Sequence, residues 1–250
     1  MSGNSAPHNG SDPDFPYFSV DSWFQFPDPQ KSGTDIVGSG GNLSPGMLLS
    51  AYRQGIFPWY GKDEPILWWS PDPRFVLLPQ DFHVPSRLDR AIKTNKSGFT
   101  YTMNKSFFEV IKACAAVKRP EQDGTWITDA MIDSYAEFHR LGFAHSFETW
   151  QNGSLAGGFY GVLLGQVFFG ESMFSFVPDA SKCAFVRFVR AFGACGGKLI
   201  DSQVYTDHIA RFGGKNISRD AFLRLEKSYL NTPLKIDLKK VYGAFLEILN

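Results

Sequence analysis

The run AHSFETW (144–150), Asn152-Gly153, SLAGGFYGVLL (154–164), Gly165-Gln166 and VFFGESMF (167–174) decides the fold. Three β-rich segments are separated by two-residue glycine turns, and Asn-Gly between such segments is the strongest short hairpin signal. The spacing therefore predicts three successive antiparallel strands. Downstream, residues 179–192 place Ala184, Phe185, Phe188, Val189 and Phe192 at helical spacing, with Gly193 as the expected stop. A further strand, KLIDSQVY (198–205), a short helix in DHIARFGG (207–214) and a helix capped by Ser218 complete this half.

Upstream, the pattern alternates shorter elements. Strands are expected at 75–79 and 99–103, and helices at 86–96, 106–117 and, capped by Thr128, from 129 until Gly142 closes it. Further back, Ser44-Pro45 reads as a helix start and Gly55 as its end. IFPWY (56–60) and ILWWSPDPR (66–74) are too irregular for a helix and too interrupted for a central strand, so they read as an aromatic wall. The first forty or so residues, rich in Gly, Ser, Pro and Asp, read as a loose lead-in whose aromatic residues dock on the rest. The expected division is a lead-in at 1–39, a small N-terminal domain at 40–77 and a larger domain at 78–250.

Composition narrows the function classes. With 43% hydrophobic residues and no apolar run of membrane-spanning length, the chain reads as a globule, and its polar start lacks a signal-peptide pattern, so a cytoplasmic location is expected. Cys114, Cys183 and Cys195 have neither metal-ligand spacing nor an even count, which argues for free thiols. Net charge is zero, but residues 86–119 carry eight Lys/Arg against Asp89 and Glu109. Within them Arg87, Arg90 and Lys93 share a helix face, which reads either as a solvated surface or as a modest phosphate-binding patch.

Two polar groups stand out from apolar surroundings. In KLIDSQVY, a period of two puts Asp201 and Gln203 on one face, and burial of such a pair without partners would cost several kcal/mol. In FFGESMFS (168–175), Glu171 is a lone carboxylate among Phe168, Phe169, Met173 and Phe174, and needs a cationic or hydrogen-bonding partner. An internal ion pair with Arg187 or Arg190 is one candidate, and a cationic ligand another.

Three antiparallel strands followed by helix, strand and helix is the element order of the GNAT acyltransferases, so the expected class is α+β with a mixed, mainly antiparallel sheet. Those enzymes bind the pyrophosphate of coenzyme A on a glycine-containing turn before the main helix. The matching stretch here, VPDASKCA (177–184), has no glycine, which argues against a coenzyme A donor.

Read in order, GGNLSPGMLLSAYRQGIFPWY (40–60), ILWWSPDPR (66–74), GTWIT (124–128), GFAHSFETW (142–150), GGFYGVLLGQVFFGESMFS (157–175), ASK (180–182) and GGKLIDSQ (196–203) resemble the leucyl/phenylalanyl-tRNA-protein transferase family over about residues 40–225. The resemblance implies transfer of Leu or Phe from Leu-tRNA or Phe-tRNA to proteins with an N-terminal Arg or Lys, marking them for N-degron degradation, by a monomer without cofactor or metal. It implies that Gln203 holds the acceptor amine, that Asp201 polarises it as base or orienting group, and that Glu171 reads the Arg or Lys cation. For the aminoacyl-adenosine end it implies a pocket of Trp59, Trp126, Tyr135, Phe159, Phe168, Met173, Phe188 and Ile200. Ser175, Ser181 and Lys182 would support the site, and His145 and His208 would be structural. The chain departs from the family pattern in SGTDIVGSGGN (32–42), in FFG where FCG is usual, and in the tail 235–250. A CoA-dependent or cell-wall aminoacyl transferase and a non-catalytic binder of N-termini or tRNA ends are the competing readings.

Overall fold

A seven-stranded sheet carries the chain's central glycine-turned hairpins and supports everything else. The structure is a computed structural model that describes residues 12, 14–117 and 125–248, so Lys118, Arg119 and Gly124, and most of the polar start, lie outside the described residues. The strands, in chain order, are β1 (Ile36–Ser39), β2 (Phe57–Pro58), β3 (Leu67–Trp69), β4 (Arg74–Leu77), β5 (Thr100–Met103), β6 (Ala144–Gln151), β7 (Ser154–Leu164), β8 (Val167–Ser175), β9 (Leu199–Asp201) and β10 (Lys215–Ile217). The helices are α1 (Pro45–Tyr52), α2 (Ser86–Thr94), α3 (Phe107–Ala116), α4 (Asp129–Arg140), α5 (Ala180–Ala194), α6 (Asp207–Ala210), α7 (Arg219–Tyr229) and α8 (Leu238–Ile248). Among the described residues no helix is long and apolar enough to cross a membrane.

The large sheet has the order β10-β4-β9-β8-β7-β6-β5. Only β8 and β9 are parallel, joined through α5, as the element order predicts. Asn152 and Gly153 both have positive φ, 51° and 79°, which suits the tight turn between β6 and β7. Strand alternation sorts the side chains into two cores. Phe147, Phe159, Phe168 and Ile200 face α5, α6 and α8, whereas Tyr160, Val167, Phe169 and Leu199 face α1, α3 and α4. A second sheet, β1-β3-β2, lies before the large one in sequence.

Several local expectations change. The Trp-rich segment does form a central strand, β3, between β1 and β2, because three residues suffice when the neighbours have only four and two. The indole N–H groups of Trp68 and Trp69 donate to the carbonyls of Gly40 and Trp59, which ties the two stretches together. The lead-in is more ordered than its composition suggests. Ile36–Ser39 pairs as β1, and Phe15, Phe18 and Phe24 pack on one another, with Phe24 also meeting Phe26. Ser44 does not cap α1 with its hydroxyl, which instead accepts from the Phe18 N–H and anchors that lead-in. Helix α5 passes Gly193, runs to Ala194 and is closed at Gly196, where φ is 93°. The Gly197 N–H then bonds the Phe192 carbonyl and the Gly196 N–H bonds that of Gly193, which closes a Schellman turn. The unmatched tail is folded as α8, whose Tyr242 is buried against Phe147.

Candidate active site

The site forms where parallel neighbours part. Strands β8 and β9 pair only from Val167↔Leu199 to Phe169↔Asp201, after which β8 continues and the other chain turns away. The strand expected to run through KLIDSQVY stops at Asp201, and Gln203 adopts left-handed φ of 64°. Asp201 and Gln203 are therefore brought together by a turn rather than by strand alternation: the Gln203 N–H donates to Asp201 Oδ1 at 2.9 Å. The parting opens a cavity of about 600 Å³.

Glu171 owes its position to a β-bulge. On β7 the register passes from Gly161↔Gly170 to Tyr160↔Ser172, leaving Glu171 as the extra residue of β8. Its buried carboxylate accepts from Tyr52 Oη at 2.8 Å, Tyr135 Oη at 3.2 Å and Gln203 Nε2 at 3.1 Å. Burial pushes its pKa up to about 7, against the pull of these three donors. Both tyrosines are driven well above their ordinary range, first by burial and then by that carboxylate, so they stay neutral donors. No cation pairs with Glu171 among the described residues. The internal ion pair weighed for it does not form: Arg187 donates to the carbonyls of Tyr242 and Gly243, and Arg190 pairs with Asp89 at 2.7 Å.

Asp201 is held by Arg74, a residue quoted within ILWWSPDPR but given no role there. Arg74 Nε and Nη2 meet Asp201 Oδ1 and Oδ2 at 2.9 and 2.6 Å, and both side chains are essentially inaccessible to solvent. The guanidinium also donates to the Gly55 carbonyl and lies between the rings of Phe57 and Phe222, at 4.9 and 4.3 Å from their centroids. Beside it, burial drives the Glu226 carboxyl well above its ordinary range, with Asp201 adding to the shift and Arg74 opposing it. Both Asp201 oxygens are engaged by one guanidinium, which fixes the carboxylate's orientation.

Six of the expected pocket residues, Trp59, Trp126, Phe159, Phe168, Met173 and Ile200, line the cavity together with Glu171, Asp201 and Gln203. Tyr135 lies behind the wall, beneath Glu171, and Phe188 is buried under Phe159 and Phe168 at centroid distances of 5.4 and 4.4 Å. They support the wall without lining it. Tyr52, which periodicity hides inside an apolar helix, joins Tyr135 on Glu171. His208 lines the cavity whereas His145 bonds Asn104, and burial lowers each to about 4, so both imidazoles are neutral. Ser175 accepts from the Ser181 N–H at the start of α5, and Lys182 pairs with Asp179. On α2, Arg87 and Arg90 are exposed, while Lys93 pairs with Asp89 at 2.7 Å.

Comparison with known proteins adds a family. The model for leucyl/phenylalanyl-tRNA protein transferase matches residues 76–227, and that for the N-terminal domain of the same proteins matches 41–72. The chain belongs to this family. A leucyl/phenylalanyl-tRNA–protein transferase of Anaeromyxobacter sp. (strain Fw109-5) is 55% identical over 199 residues, 79% of this chain and 84% of that protein. The one from Oleidesulfovibrio alaskensis is 47% identical over 234 residues, 91% and 94% of the two chains, and the one from Laribacter hongkongensis 46% over 203 residues, 81% and 86%. Arg74 falls in the three residues between the two family matches, and its partner Asp201 lies within the longer one.

Proposed function

We propose that this member of the family moves Leu or Phe from Leu-tRNA or Phe-tRNA to the α-amino group of proteins that begin with Arg or Lys, as a cytoplasmic monomer that marks them for N-degron degradation. The observation that carries the reading is Glu171: a buried carboxylate, surrounded by neutral donors, in the wall of an apolar cavity. An arriving guanidinium or ammonium would supply the missing countercharge and draw Glu171 into its ionised form. With the Gln203 amide N–H on Glu171, its amide oxygen accepts an N–H of the incoming amine. Asp201, clamped by Arg74, fixes the Gln203 backbone and so sets that geometry.

In the step itself, the neutral amine attacks the ester carbonyl, the C–N bond forms, and the ester C–O bond breaks. The ribose oxygen leaves and takes up a proton, while the amine nitrogen loses one. The α-amino pKa, near 8 in peptides, leaves a reactive neutral fraction near pH 7. Trp59, Trp126, Phe159, Phe168, Met173 and Ile200 take the Leu or Phe side chain and stack the terminal adenosine. Tyr135 and Phe188 hold that wall from behind. We keep the division into a lead-in (1–39), an N-terminal unit (40–77) and a catalytic unit (78–250). The boundary strand β4 pairs within the large sheet, so the two units share it.

The test is transfer of labelled Phe from Phe-tRNA to peptides that differ only in their first residue. Arg- and Lys-initiated peptides are expected to be labelled and Ser-initiated ones not, and Gln203→Ala should abolish labelling while retaining tRNA binding. Equal labelling of all peptides, or none, would overturn the proposal.

A further inference from the structure

Beyond Gln203 the chain climbs out of the cavity along its rim. Val204 and Tyr205 are large apolar side chains that stay 37% and 59% exposed, yet both belong to the cavity lining. Tyr205 is held on two sides. Its ring meets Phe75 edge-on with centroids 5.1 Å apart, and its hydroxyl donates to Asp207 at 2.8 Å. Such a ring offers contact area whose ordering is already in place, while its exposure means that the fold gains little from it.

An acceptor whose first side chain reaches Glu171 and whose amine lies at Gln203 must lead the rest of its chain out. Its second Cα lies about 3.8 Å beyond the first, and Tyr205 lies two residues, at most about 7 Å of chain, beyond Gln203. That reach brings the Val204–Tyr205 rim within range of the acceptor's second residue.

We propose that Tyr205, with Val204, contacts the second residue of the acceptor polypeptide and selects it. Apolar residues are favoured there, and acidic residues are disfavoured because the Asp207 carboxylate sits on the Tyr205 hydroxyl. The proposal rests on the acceptor reading of Glu171 and Gln203. The donor's terminal base is the other possible occupant of an exposed ring, but Trp59 and Trp126 already furnish indole surface to the cavity.

The experiment is steady-state transfer from Phe-tRNA to arginine amide, which has no second residue, and to peptides beginning Arg-Leu, Arg-Ser and Arg-Glu. It uses the full chain, Tyr205→Ala and Tyr205→Phe, with thermal melts confirming that the variants fold. In the unaltered protein kcat/KM should fall about 3- to 10-fold from Arg-Leu to Arg-Glu, the scale of one aromatic contact. Tyr205→Ala should level the series through KM, leaving arginine amide and the KM for Phe-tRNA unchanged, and Tyr205→Phe should keep the apolar preference. A flat series in the unaltered protein, or the same preference in Tyr205→Ala, overturns the proposal. A raised KM for Phe-tRNA in Tyr205→Ala overturns it in favour of a donor contact. If arginine amide and every Arg-initiated peptide fail, the acceptor reading itself has failed, and the Tyr205 proposal falls with it.

Discussion

Replacing Arg74 with methionine removes one member of a fully buried ion pair and leaves Asp201 charged at the meeting of β4, β9 and α7. Breaking such a pair typically costs about 3–5 kcal/mol, because the stranded charge stays desolvated. Arg74 additionally donates to the Gly55 carbonyl and stacks between Phe57 and Phe222. A methionine retains part of the ring contact through its thioether, so the total should remain near 4 kcal/mol. Against a net stability of about 5–15 kcal/mol this is a large fraction. Asp201→Asn strands the opposite charge and should cost a similar amount. The double variant Arg74→Met/Asp201→Asn strands neither, so it should be more stable than the sum of the single effects by about 2 kcal/mol or more. Urea unfolding followed by far-ultraviolet circular dichroism measures all four proteins. Transfer separates structure from chemistry: the double variant should recover stability but not activity, since nothing then anchors the Gln203 N–H through a charge-assisted bond. A cost below 1 kcal/mol for Arg74→Met, or additive single effects, would refute the reasoning.

Glu171 should show in the pH dependence of stability. Its folded pKa, about 7, lies above the ordinary carboxyl value of 4.5, so the folded protein holds a proton that the unfolded chain releases. The stability tied to that proton is complete below about pH 4.5 and is lost as pH rises through 7, by up to ~3 kcal/mol. Glu171→Gln should therefore flatten the urea midpoint between pH 5 and 8 and be the more stable protein at pH 8, while transfer to Arg-initiated peptides collapses. An unchanged slope would show that this carboxyl is not held neutral. On α2, replacing Arg87, Arg90 and Lys93 together with Ser should lower the slope of log affinity against log salt for tRNA by about 1–2, with Lys93 contributing least because Asp89 already pairs with it. Filter binding across a salt series measures this, and an unchanged slope would reduce the patch to a solvated face.

Much of the fold could be read along the chain because its signals are local. Asn152-Gly153 and Gly165 permit the positive φ of tight turns, Thr128 and Ser218 cap α4 and α7 with their hydroxyls, and helical spacing marks the buried face of α5. Glu171, Asp201 and Gln203 were legible too, as isolated polar groups in apolar segments, and all three line one cavity. Where local signals misled, a neighbour had intervened. The Ser44 hydroxyl accepts from the Phe18 N–H, and Gly193 packs on Pro79 within a helix that runs on to Ala194. Residue type and spacing by themselves thus determined the run of three hairpin strands, the family resemblance and which polar side chains needed partners. Tertiary structure alone decided who the partners are. The bulge aims Glu171 at Tyr52 and Tyr135, and the parting of β8 from β9 makes the cavity. Arg74, 127 residues away in sequence, holds both oxygens of Asp201. Contacts between distant segments leave no periodic trace in the chain, because each depends on how whole elements pack and not on the residues beside it.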